Sequence, residues 1–119
     1  MTDSEINLAI AKIEYPDAAY IDINSEESEE VEVCYKYTIN NKVLDYTSHF
    51  DYVNEWCDIG PIIEREGISV FKRTSKLWYA YSEVIEDAAG DYWYKNLQKA
   101  DKPTKAAALC YLKLKGIEG

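Results

Sequence analysis

Val31-Glu32-Val33-Cys34-Tyr35-Lys36-Tyr37 is the stretch that decides the fold. Val31, Val33, Tyr35 and Tyr37 point one way, while Glu32, Cys34 and Lys36 point the other. Alternation of period two describes a β-strand with one buried and one wet face. Asn40-Asn41 follows, and Asn tolerates positive φ, so a tight turn returns the chain through Val43 to Tyr46 as the partner strand. Upstream, Tyr20 to Ile23 suits a further short strand.

Outside this hairpin the period changes to that of a helix. Thr2-Asp3-Ser4-Glu5 has the form of a capping box, and Ile6, Ala9, Ile10 and Ile13 make one apolar stripe behind it. Tyr15-Pro16 ends this helix, because a residue before proline avoids the α region. A second helix is expected after Asn54, read as its N-cap, with Gly67 as its stop and Pro61 inside, where a kink or a late start is expected. Trp56, Ile59 and Ile63 share its packing face. Ile68 to Arg73 and Leu77 to Tyr81 read as two strands. Residues 83–99 fit either a hairpin turning at Asp87-Ala88-Ala89-Gly90-Asp91 or a short helix. From Pro103 to Lys115 the helical reading returns, with Ala106, Ala107, Leu109, Cys110 and Leu114 as the packing face and Gly116 as the stop. The order predicts the α+β class: an antiparallel sheet flanked by N- and C-terminal helices as an α-β-α sandwich.

With 119 residues and 13.7 kDa, the length predicts a single domain. Hydrophobic residues at 47% and charged residues at 29% are globular proportions, which argues against wholesale disorder. No apolar run reaches the roughly 18 residues of a membrane span, and Asp3 and Glu5 are unlike a basic, apolar leader. No membrane partner and a cytoplasmic location are therefore expected. Cys34, Cys57 and Cys110 form no C-x-x-C pair, and His49 is the sole histidine, so neither a zinc site nor a Cys–His nucleophile is indicated. Free, largely buried thiols are the expectation.

Charge is the abnormal feature. Residues 1–60 hold 14 acids against 3 bases, or −11, while residues 61–119 hold 8 against 10, or +2. The excess peaks in Asp22, Glu26, Glu27, Glu29, Glu30 and Glu32, with no Lys or Arg among them. Direct nucleic-acid binding is thereby disfavoured. Such a run is commonly a solvated loop that aids solubility, and it is also a surface able to steer a basic partner. Extended at about 3.3 Å per residue, it places one carboxylate per ~6 Å, against one charge per ~1.7 Å of duplex DNA. Mimicry of DNA by this segment alone is too dilute and would need Asp45, Asp51, Glu55 and Asp58 on the same face.

Three blocks stand in a telling order: Thr2-Asp3-Ser4-Glu5-Ile6-Asn7, then Asn54-Glu55-Trp56-Cys57-Asp58-Ile59-Gly60-Pro61-Ile62-Ile63 leading to Gly67-Ile68-Ser69-Val70, then Lys102-Pro103-Thr104-Lys105-Ala106-Ala107-Ala108-Leu109-Cys110-Tyr111-Leu112. Together they resemble small proteins of tailed bacteriophages and prophages, the phage ABA-sandwich group and the related NinX-like proteins, over about a third of the chain. The resemblance implies a layered helix–sheet–helix fold and a phage accessory origin, and it implies no reaction. The chain departs from the pattern in longer Asp22–Glu32 and Glu83–Lys99 segments, and in Gly60 where a larger residue is expected.

There is no phosphate-binding loop, dinucleotide fingerprint, nucleophile elbow or H-E-x-x-H motif, so no catalytic residue, cofactor or metal ligand is assigned. Tyr occurs 11 times and Trp three times, and Tyr92, Trp93 and Tyr94 are adjacent. Such residues suit an interface, and they equally suit a tyrosine-rich sheet. The expectation is a non-enzymatic protein that binds a host protein with a basic surface through the acidic segment and neighbouring tyrosines, inhibiting a host defence factor of CRISPR or nuclease type. The alternative is a structural or regulatory phage protein that self-associates as a homodimer through Trp93.

Overall fold

A computed structural model describes residues 1–23 and 29–117, which fall into two compact units, Met1–Asp51 and Tyr52–Gly119. Glu26 and Glu27 of the acidic segment lie outside the described residues.

The first unit comprises α1 (Asp3–Glu14), β1 (Tyr20–Ile23), β2 (Val31–Ile39) and β3 (Lys42–Phe50). The capping box forms as expected: Thr2 Oγ1 accepts from the Glu5 amide at 3.2 Å, and Glu5 Oε1 accepts from the Thr2 amide at 3.3 Å. The buried stripe of α1 is Ile6, Asn7, Ile10 and Ala11, rotated from the expected one, since Ala9 and Ile13 are only half-buried. Asn7 sits in that stripe because its amide has partners. Its Nδ2 donates to the Glu29 carbonyl at 2.8 Å and to Asp51 Oδ1 at 3.0 Å. The three strands pair antiparallel in the order β1-β2-β3. Asn40 and Asn41, at φ 52° and 63°, close the β2–β3 turn in the left-handed region. Val31 and Val33 are buried, and Tyr15 stacks on Phe50 at 5.1 Å. Cys34, assigned by alternation to the wet face, is also buried.

The second unit comprises α2 (Trp56–Glu66), β4 (Ser69–Thr74), β5 (Leu77–Tyr81), β6 (Glu83–Glu86), β7 (Tyr92–Lys95), β8 (Gln98–Ala100) and α3 (Pro103–Leu114). Its sheets are β4-β5-β8 and β6-β7, both antiparallel. The ambiguous 83–99 segment is therefore a hairpin plus a third strand for β5. Asp87 organises the turn: its Oδ1 accepts from the Ala89 amide at 2.9 Å and the Asp91 amide at 3.0 Å, and Gly90 takes φ 85°. Asn96, at φ 58°, bends the chain from β7 into β8 and donates to Ser82 Oγ at 2.9 Å.

Three expectations for the helices are corrected. The N-cap of α2 is Glu55 instead of Asn54, whose Oδ1 accepts from Lys102 Nζ, and the helix starts at Trp56 despite Pro61. Trp56 is 53% exposed, because α2 buries Ile59 and Ile62 instead. In α3, Leu109 and Leu114 are half-buried while Ala108, Tyr111 and Leu112 are fully buried. This helix is enclosed on most sides: it packs on β4, β5, β8 and α2, so no single stripe describes it. Gly67, at φ 67°, ends α2 as expected, donating to the Ile63 carbonyl. The α+β class holds, as three helices with three small antiparallel sheets packed against them.

Candidate functional site

Register places Asp22, Glu32, Lys36, Asp45 and His49 of the first unit on one sheet face. Asp22 lies directly opposite Glu32, and Glu32 directly opposite His49, so the three make a row across β1, β2 and β3. Two rows on, Lys36 faces Asp45. The Glu32 carboxylate lies 3.7 Å from His49 Nε2, and Asp22 Oδ1 accepts from the Ile23 amide at 2.8 Å. Like charges directly opposite one another disfavour the sheet, by roughly 0.2–1 kcal/mol. Tyr20, on this face opposite Cys34, feels the same charge. Its phenol pKa is raised, first by the hydrogen bond with the Cys34 thiol and by burial, then by the negative fields of Cys34, Glu32 and Asp45. Asn7 fixes the approach to β2 by holding the Glu29 carbonyl, with Glu30 next in sequence before Val31.

Sequence reasoning passed over Asn7. Its signal was a short amide beside Ile6 and Ile10 within the helical period, a polar residue that enters a core only with partners.

Arg65 and Lys115, both in the second unit, pair with Glu66 there at 3.2 and 3.5 Å. In the same unit the β6–β7 hairpin carries the aromatic set. Tyr92 is 65% and Trp93 50% exposed, and register puts Trp93 with Ile85 on one face and Tyr94 with Val84 on the other. Tyr94 closes on Tyr81 at 4.6 Å and Phe71 at 6.1 Å, completing a cluster with Tyr79. Tyr92, Trp93 and Tyr94 are thus divided between two surfaces of the hairpin. The acidic residues belong to the first unit and these aromatics to the second.

Cys34 and Cys110 are buried as expected, but Cys57 is exposed, because it follows Trp56 on the open first turn of α2. Burial pushes the Cys110 thiol up to about 11. The Cys57 thiol is also raised, chiefly by the Asp58 carboxylate, then by burial and by Glu55. A thiol with a raised pKa holds less of the reactive thiolate. Native-state alkylation near pH 8 is accordingly expected to modify Cys57 alone, more slowly than free cysteine and faster after Asp58→Asn. Peptide mass mapping reads this directly, with all three thiols reacting in denaturant.

Among the described residues, no group of three or more His, Cys, Asp and Glu side chains converges as a metal site, and no helix is long and apolar enough to cross a membrane. Curated proteins give no match to the chain. The family model described as bacteriophage P22, NinX, matches residues 1–115, nearly the whole length. The chain belongs to the bacteriophage P22 NinX family.

Proposed function

We propose that the chain is a phage accessory protein that acts by binding another protein, without catalysis. Its acidic sheet face occupies a basic, nucleic-acid-binding surface of a host factor, of CRISPR or nuclease type. The observation that carries this reading is the like-charge row Asp22–Glu32, with Glu29 and Glu30 leading into it, on a half of the chain with net charge −11. The arrangement costs the sheet stability, and it suits carboxylates that meet cations on a partner. Family membership supplies the phage setting. The partner is a protein, since a surface of this sign repels nucleic acid and anionic membranes.

Capture from a bacterial host lysate, with partners identified by mass, tests the reading. The parent chain should retain a basic protein at low salt and release it as salt rises. Replacing Glu26, Glu27, Glu29 and Glu30 by Gln should abolish retention while leaving the circular dichroism spectrum unchanged. Retention indifferent to that quadruple substitution would contradict the proposal.

A further inference from the structure

β3 is an outer strand of its sheet, and its free edge has a defined chemistry. The two-residue Asn40-Asn41 turn makes Ile39 and Lys42 a hydrogen-bonded pair, and such pairs alternate along the ladder. The even-numbered residues of β3 therefore bond to β2. The odd-numbered ones, Val43, Asp45, Thr47 and His49, turn their N–H and C=O groups outward. The other side of β2 agrees with this parity: Cys34 lies opposite Thr47, and its carbonyl turns away from β3 to accept from the Ala19 amide at 2.7 Å.

A groove of about 580 Å³ beside this strand is lined by Tyr46 to Phe50 of β3, by Val33 and Tyr35 of β2 and by Tyr15. The strand mixes apolar and polar side chains, with Val43 68% and Tyr46 61% exposed. A nine-residue outer strand presents its unpaired N–H and C=O groups as a template for another strand.

We propose that the occupant is a second copy of this chain, joined antiparallel through β3 about a two-fold axis at Thr47. Outward backbone groups restrict the choice of register, and the side chains select among the remainder. Centring on Asp45 would set two carboxylates face to face, which is unfavourable. Centring on Tyr46 would set Lys42 against Phe50 and Val43 against His49, pairing unlike chemistry. Centring on Thr47 sets Asp45 against the second copy's imidazole at position 49, Leu44 against its phenyl ring at position 50, and threonine against threonine. The charged row then continues across the junction. His49, already beside Glu32, meets the other copy's carboxylate at position 45, itself opposite a lysine. An interface of one strand pair is small, so association belongs in the micromolar range. It rests on the β3 edge with Asp45, Thr47 and His49, whereas the reading above rests on Asp22, Glu29, Glu30 and Glu32, so either can fail alone.

Sedimentation of the full chain over about 1–300 µM tests the proposal, a range that brackets weak association. The mass should rise from 13.7 kDa toward twice that value. Thr47→Pro removes an outward N–H that β2 does not use, so the variant should remain folded and stay monomeric throughout. Asp45→Lys and His49→Glu provide a second route that does not depend on proline. Each variant alone should associate several-fold more weakly than the parent, and an equimolar mixture should recover the dimer as a heterodimer. A parent chain that stays monomeric overturns the proposal, as does a folded Thr47→Pro variant that still dimerises. A mixture no more associated than its components also overturns it, and a dimer lost only on substituting Trp93 places association on β6–β7 instead.

Discussion

Asn7→Asp is expected to destabilise the fold by about 3 kcal/mol at pH 7, and the deficit should shrink as the solution is acidified. Asn7 is fully buried and donates to two acceptors, the Glu29 carbonyl and the Asp51 carboxylate. A carboxylate in its place would meet two acceptors with no proton to offer. Its pKa in the fold must then stand above the unfolded value of about 3.9. The folded state binds the proton more tightly than the unfolded chain, so the charge part of the deficit is full above the folded pKa and vanishes below about pH 4. That leaves the loss of one of the two hydrogen bonds, because a protonated carboxyl has a single O–H to donate. Asn7→Leu separates shape from charge. It loses the same two bonds, costs about 2 kcal/mol, and should show no such pH dependence. Urea titrations of parent and both variants between pH 4 and 7 check the prediction. A gap between parent and Asn7→Asp that is constant with pH would contradict it.

Tyr111→Ala should be more damaging still, costing about 3–5 kcal/mol, a large share of the ~5–15 kcal/mol that stabilises a domain. The ring is almost wholly buried in α3, with the Arg65 guanidinium 5.9 Å and the Lys115 ammonium 5.6 Å from its centre. Its hydroxyl accepts from Arg65 Nη2 at 3.3 Å. Tyr111→Phe keeps the ring and both cation contacts and loses only that hydrogen bond, so it should cost about 1 kcal/mol. Thermal unfolding of the two variants separates packing from hydrogen bonding: a large drop in Tm for alanine and a small one for phenylalanine.

What was legible in the sequence was local. The capping box at Thr2 and Glu5, the Asn40-Asn41 turn and the Gly67 stop each need only a few neighbouring residues and one backbone geometry. The alternation from Val31 was equally local and gave the strand. What was not legible depends on partners distant in the chain. Asn54 has the chemistry of an N-cap, yet Lys102, 48 residues away, holds its side chain. Trp56 shares a helical face with Ile59, but the face that α2 buries runs through Ile59 and Ile62 and leaves Trp56 exposed. The 83–99 segment has no clear period because its turn depends on the Asp87 side chain and its strands split between two sheets. The acidic row was visible as composition. Its geometry, Asp22 set against Glu32, required the β1–β2 register, which composition cannot carry.

The functional account rests on carboxylates that occupy the basic, nucleic-acid-binding surface of a partner. Competition tests this most directly. With the captured host protein in hand, its complex with the chain is titrated with a short DNA duplex at two salt concentrations. The account predicts that DNA displaces the chain and that affinity for the chain falls as salt rises. A stable ternary complex with DNA, or an affinity unmoved by salt, would contradict it.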